Sequence, residues 1–475
     1  MTSIDPRRNS IACHSDHIQL RHGGVHCTSL AFLCGLVFIF LAAAGNSGIA
    51  ADRLAEVQGQ HTWPQWRGPG SRAVLGTDTL PNPWPSGAPK RLWHAPLGTG
   101  WSSPVVADGR VFITDRTDGT ERMLAFDADT GREIWAEGHA VDFDPHPVGR
   151  QHGNGPKATP LVDEDKVYAV GIAGRLECRK ATDGALIWEV NYPAMFGEPR
   201  PLPGGKARVN GTTDVTVPLG NGKGGPVPLF GYTGSPTLSG NSLVTPVGGE
   251  RGGTIIAFDK NTGRPVWRAL DENVSYSSPV IAQFDGVVQV VVMTGPRVVG
   301  LATETGALLW SHPFQIQYDE SISTPAIGPG MVLITATGRP LTALRISHDG
   351  GKWTKQVAWT NEILSSYLSS TVVAGDYVYG MNDGGEFSCL RLADGKALWT
   401  GGNEGYYSSP IVAGQRLFAL NERGRLTVLG LGPEAYREMG ASQLTKGETW
   451  TMPAIVGSRI YVRSKEGLSC FETQP

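Results

Sequence analysis

Three histidines, His139, His146 and His152, stand with Asp142 and Asp144 in one stretch, GHAVDFDPHPVGRQHGNGP. Imidazoles and carboxylates gathered this closely could hold a metal ion. Their spacing is looser than any structural zinc pattern, however, and the chain has no HExxH. The stretch reads instead as a loop that Gly153-Asn154-Gly155-Pro156 bends, with His152 and Asn154 as its candidate contact residues. A second candidate is aromatic. Trp101, Tyr276, Tyr407 and Trp450 each stand three residues before the second position of a recurring Ser/Thr-Pro or Met-Pro pair, with Tyr232 and Tyr367 offset by one. Rings at equivalent repeat positions would form an aromatic rim, a surface suited to sugars, flat cofactors or peptides.

The remaining reactive side chains point to structure. Cys178, Cys389 and Cys470 fall at one equivalent small-residue position in different repeats, too far apart to bridge. They are expected to be buried thiols. Asp127/Asp129, Asp183, Asp259, Glu304 and Asp394 sit in tight turns, where a carboxylate bonds nearby backbone N–H groups. A lone carboxylate per turn falls short of the six to eight oxygens that calcium takes. Gly220-Asn221-Gly222-Lys223-Gly224-Gly225 is not a phosphate-binding loop, since no Ser or Thr follows the lysine. No catalytic residue is assigned: neither a nucleophile triad nor a glycosidase carboxylate pair can be argued from spacing.

These residues are positioned by an internal repeat. Its openings are Ser103-Pro104, Thr159-Pro160, Ser235-Pro236, Ser278-Pro279, Thr324-Pro325, Ser370-Thr371, Ser409-Pro410 and Met452-Pro453, separated by 56, 76, 43, 46, 46, 39 and 43 residues. Each is followed by short aliphatic and β-branched runs divided by Gly, Asn and Asp turns. Five copies end in Gly-x-x-x-Trp, giving Trp135, Trp188, Trp267, Trp310 and Trp399. Four short strands in a period of roughly forty-five residues define a β-propeller blade. The neighbours of these tryptophans, Ile134, Ile187, Val266, Leu309 and Leu398, are all aliphatic, which predicts a sheet covered on both faces. The eighth copy lacks its last strand, and Arg91-Leu92-Trp93 is the expected donor that closes the ring. The expected fold is therefore all-β: an eight-bladed propeller of four-stranded blades over residues 91–475. A lead covers 52–90, and an insertion of about 192–233 occupies the longest interval.

Composition agrees. The 475 residues include 63 Gly, 33 Pro and 13 Trp, with 18% charged and 40% hydrophobic residues. That excludes disorder, collagen and coiled coil. A formal net charge of −3 offers no reason to expect nucleic acid as a partner. Residues 30–44 are apolar, preceded by Arg7, Arg8 and Arg21 and followed by Gly48, Ala50 and Ala51. This reads as an export signal over 1–51, placing the rest in the periplasm, cell envelope or medium. Retained uncleaved, the segment would serve as a membrane anchor.

Ala125-Phe126-Asp127-Ala128-Asp129-Thr130-Gly131-Arg132-Glu133-Ile134-Trp135, and the similar run from Ala257 to Trp267, resemble the tryptophan-docking motif of pyrroloquinoline quinone-type propeller repeats. The resemblance covers about residues 91–472. It implies structural docking roles for the five tryptophans, and it spans two functions. One is the non-catalytic outer-membrane assembly factor of the BamB type, which implies a monomeric scaffold binding a protein or peptide partner in the envelope, without cofactor. The other is the quinoprotein dehydrogenases, which implies pyrroloquinoline quinone with calcium. Many of the latter carry adjacent cysteines over the quinone, and this chain has no Cys-Cys pair. The scaffold is the preferred expectation, with the dehydrogenase and a carbohydrate-binding propeller as alternatives.

Overall fold

A computed structural model describes residues 62–76, 89–145, 147–196, 225–249, 253–316 and 321–473, with the short strand segments 207–209, 213–215 and 220–222. The apolar run of 30–44 and His146 lie outside the described residues. Among those described, no helix is long and apolar enough to cross a membrane.

Eight four-stranded antiparallel blades follow one another, each ordered from inside to outside along the chain. Blade 1 comprises Val105–Ala107, Arg110–Thr117, Thr120–Asp127 and Glu133–Ala140. The inner strands of blades 2 to 7 are Leu161–Asp163, Thr237–Ser239, Val280–Phe284, Ala326–Gly328, Val372–Ala374 and Ile411–Ala413. Blade 8 has only three strands from the C-terminal end, Ala454–Val456, Arg459–Ser464 and Gly467–Glu472. Its fourth is Lys90–Ala95, antiparallel to Gly467–Glu472, with Trp93 opposite Cys470. Ring closure through an N-terminal strand is thus as the sequence predicts.

Adjacent blades are joined by indole hydrogen bonds. Trp135 Nε1 donates to the carbonyl of Ala181 in blade 2 (3.1 Å), Trp188 to Lys260 in blade 3 (3.0 Å) and Trp267 to Thr303 in blade 4 (2.7 Å). Trp399 reaches Gly432 in blade 7 (2.9 Å), and Trp93 reaches Ala128 in blade 1 (3.1 Å). The rings of Trp93, Trp135, Trp188 and Trp267 also lie over the turn glycine of the next blade, where a Cβ would be too close: 2.8 Å from Trp135 at Gly184 and 2.6 Å from Trp188 at Gly263. Cross-strand from each tryptophan stands the small residue noted in the sequence: Ala125, Cys178, Ala257, Cys389 or Cys470. The three cysteines are buried free thiols.

Blade 5 departs from the pattern. Its outer hairpin, Arg339–Asp349 with Lys352–Asn361, is long, so the tight docking turn is absent from its usual place. Trp310 of blade 4 turns inward instead and donates to Gln289 Oε1 of its own blade (2.7 Å). Gly300, whose Cβ would lie 2.2 Å from Trp310 Nε1, makes room for that choice. Blade 5 nevertheless has a docking tryptophan missed in the sequence, Trp359, which donates to Leu392 in blade 6 (2.8 Å).

The second face of the outer strands is less covered than their aliphatic residues predict. Ile187 and Val266 are 38% and 51% exposed, whereas Ile134, Leu309 and Leu398 are half-buried. At the rim the blades diverge, and only the tryptophan side meets a neighbour. The insertion begins with one helical turn, Tyr192–Phe196, where no helix was expected.

Candidate functional site

Hydroxyls of the Ser/Thr residues that open the repeats form six steps of a belt around the channel. Ser103 N donates to Thr159 Oγ1 (3.1 Å), Thr159 N to Ser235 Oγ (2.9 Å) and Ser235 N to Ser278 Oγ (3.0 Å). Thr324 N donates to Ser370 Oγ (2.9 Å), Ser370 N to Ser409 Oγ (3.1 Å) and Met452 N to Ser103 Oγ (3.0 Å). Each hydroxyl satisfies a buried N–H of the preceding blade, which fixes the blades in common register.

That register determines the site. The residue two places before each belt position lines a single cavity of about 180 Å³: Trp101, Lys157, Thr233, Tyr276, Ile322, Leu368, Tyr407 and Trp450. All eight blades contribute. The four aromatics predicted at this position are brought together, and His152 joins them, as does Tyr367. Asn154 does not line the cavity; its side chain accepts from Thr99 Oγ1 (3.0 Å) behind the wall. Tyr232 is buried against Tyr192 rather than at the rim.

The aromatic rings are in mutual contact. Trp450 is stacked between Tyr407 (4.9 Å, 11°) and Trp101 (5.1 Å, 25°). His152 lies 5.2 Å from Trp450 and 5.3 Å from Phe230, which meets Tyr276 edge-on at 5.2 Å. Tyr367 extends the arc at 6.2 Å from Tyr407. Phe230 comes from the end of the insertion, where no repeat pattern could have revealed it.

The channel side is closed by the lead. Trp63 pairs with Val106 through two backbone hydrogen bonds (2.7 and 2.8 Å), and Val162 N donates to the Pro64 carbonyl (2.8 Å). Trp66 Nε1 donates to Thr324 Oγ1 (2.8 Å) and its ring lines the cavity. Arg67, 1% exposed, donates to the Thr371 carbonyl (2.7 Å). Val74–Leu75 then adds a parallel strand to blade 7. The lead therefore satisfies the open inner edges that a propeller otherwise leaves to water.

Burial governs the electrostatics. It lowers His152 to about 4, with Lys157 adding repulsion. It lowers Lys157 to about 7, with the Glu121 carboxylate opposing. Glu121, behind the wall, is raised to about 7, chiefly by burial. His139 and His152 have separate surroundings: His139 lies beside Glu121 (3.6 Å), and His152 lies against Trp450 and Phe230. Among the described residues, no group of three His, Cys, Asp or Glu side chains could hold a metal ion.

The quinone and calcium implied by the dehydrogenase resemblance can be tested against this lining. Among the described residues it has no carboxylate, and its hydroxyls at Thr159, Ser235, Ser370 and Ser409 already accept belt hydrogen bonds. Calcium takes six to eight oxygens, so these residues do not fit a calcium-bound group.

Fold and site together define an eight-bladed propeller of the quinone-type repeat class, with a plugged channel and an aromatic cup. The family described as outer membrane protein assembly factor BamB matches residues 86–195, 120–401 and 251–474, and the chain belongs to that family. It is 25% identical over 268 residues to BamB of Moranella endobia (strain PCIT), covering 53% of this chain and 60% of that protein. It is 26% identical over 246 residues to the quinohemoprotein alcohol dehydrogenase ADH-IIG of Pseudomonas putida, covering 49% and 30%. The chain thus spans less than two thirds of the length of these relatives. The crystal structure of BamB from Moraxella catarrhalis shares the fold, with a TM-score of 0.51 and 16% identity over 82% of this chain and 98% of that one.

Proposed function

We propose that this protein is an exported scaffold of the cell envelope that binds an apolar segment of a protein partner in its aromatic cup, without catalysing a reaction. The observation that carries this reading is the cup itself: eight equivalent positions converge on one largely aromatic cavity, with no carboxylate among its described residues. Such a lining suits apolar side chains, while belt and rim supply few polar groups to fix orientation. Trp450 has both faces covered by Tyr407 and Trp101, which leaves ring edges toward a ligand and disfavours the stacking that a sugar would use. Family membership and the named BamB relatives support a protein partner.

The test is selection from a displayed peptide library with the full chain. Apolar and aromatic peptides should be recovered, and Leu368→Glu and Ile322→Glu should weaken them at least tenfold without altering the melting temperature by more than a few degrees. A melt with pyrroloquinoline quinone, with and without calcium, runs alongside. A ligand at a hundredfold its dissociation constant stabilises by about 2.7 kcal/mol. A saturable calcium-dependent shift, with no peptide recovered, would overturn the scaffold in favour of the dehydrogenase.

A further inference from the structure

Lys157 differs from the other residues in its register position. Among the described residues it is the one lysine or arginine in the cavity lining, and none of the lining residues described is a carboxylate. Its Nζ donates to two backbone carbonyls, Phe230 (3.1 Å) and Gly153 (3.4 Å). Two acceptors match the two N–H bonds of a neutral amine. They leave the nitrogen lone pair for the remaining direction, on a side chain that lines the cavity. An ammonium in the same place would keep a third N–H without a carboxylate to receive it.

We propose that Lys157 is a nucleophilic amine that captures an aldehyde or ketone of apolar or aromatic character lodged in the cup. The amine nitrogen adds to the carbonyl carbon, giving a carbinolamine. Loss of water then leaves the imine, and hydrolysis reverses it, so no oxidant or reductant is needed. The eight-residue ring selects by shape and apolarity, and the carbonyl gives the attachment point. This is stoichiometric capture, and it stands apart from whether a peptide also occupies the cup. Desolvation against the aromatic wall keeps the amine deprotonated near neutrality, as in other lysines that form Schiff bases. The titratable neighbours that bear on it are Glu121 of blade 1, whose charge would hold the proton on, and His152 of the loop, which burial keeps neutral.

The experiment uses the full chain, benzaldehyde as probe and cyanoborohydride to trap the imine, with modified lysines located by peptide mass spectrometry. Lys157 should be labelled at pH 7 at least tenfold faster than the exposed Lys355. The rate at Lys157 should level off above about pH 7. Lys157→Gln keeps a neutral donor of two N–H bonds but not the nucleophile; it should lose the fast label while retaining the melting temperature within a few degrees. Labelling of Lys157 no faster than Lys355, or a rate at Lys157 that keeps rising well above pH 7, overturns the proposal. So does a fast label that persists in Lys157→Gln.

Discussion

Trp66 donates its indole N–H to Thr324 Oγ1 across 258 residues of sequence, at 2.8 Å. A residue of the lead thereby occupies the hydroxyl that the blade 4 to blade 5 step of the belt would otherwise use. The lead is part of the ring's hydrogen bonding as well as a plug within it.

Arg67 anchors the same segment. Removing its buried guanidinium leaves the Ser71 and Thr371 carbonyls without their donor (3.2 and 2.7 Å). Arg67→Ala should cost about 2–6 kcal/mol, at roughly 1–3 kcal/mol per orphaned buried group. Guanidinium-induced unfolding measures this, and an unchanged midpoint would refute the anchoring role.

The belt predicts a graded effect of losing one hydroxyl. Ser235→Ala leaves the buried Thr159 N–H unpaired and should destabilise by about 1–3 kcal/mol. Thermal unfolding of this variant, beside Thr130→Ala, which removes the exposed hydroxyl's bond to Asp127, separates the belt from ordinary turn hydrogen bonds.

Two glycines with similar backbone angles should respond differently to alanine. Gly395 (φ +71°) would place a Cβ 2.3 Å from the Trp359 ring, whereas Gly350 (φ +55°) has open space. Gly350→Ala should cost about 1 kcal/mol from the left-handed backbone alone. Gly395→Ala should cost at least twice that, because the indole must leave its dock. Equal losses would mean that stacking on the turn contributes nothing.

Glu121 gives a signed pH dependence. Its folded value of about 7 lies above the ordinary 4.5, so the native state binds more protons than the unfolded chain between those limits. Its contribution to stability is greatest below pH 4.5 and declines as pH rises to about 7, by a total of order 3 kcal/mol. Glu121→Gln removes this slope. The difference between wild-type and variant stability should therefore fall across pH 4.5–7 and be flat above it, which denaturation at a series of pH values would reveal.

The blades were legible because Ser/Thr-Pro openings and Gly-x-x-x-Trp endings recur with the chain's own period. The same regularity placed Trp101, Tyr276, Tyr407 and Trp450 in one rim. It was followed through aromatic side chains, so Lys157, Thr233, Ile322 and Leu368 passed unnoticed although they hold the same position. Trp359 escaped because a long hairpin replaces the tight glycine turn of blade 5. Trp66 and Phe230 belong to segments outside the repeat, where periodicity carries no information. Asn154 was drawn to the site by its neighbour His152, yet its side chain serves the Thr99 segment.

The pairing of Lys90–Ala95 with Gly467–Glu472 also sets the order in which the molecule can be completed. A chain delivered N-terminus first carries its closing strand from the outset, but that strand finds its template only when the final hairpin arrives. Until then the first and last blades expose open edges, and Trp93 has no Cys470 to lie against. Joining the two strands closes a loop over most of the chain, so blade 8 cannot be complete before both segments are present.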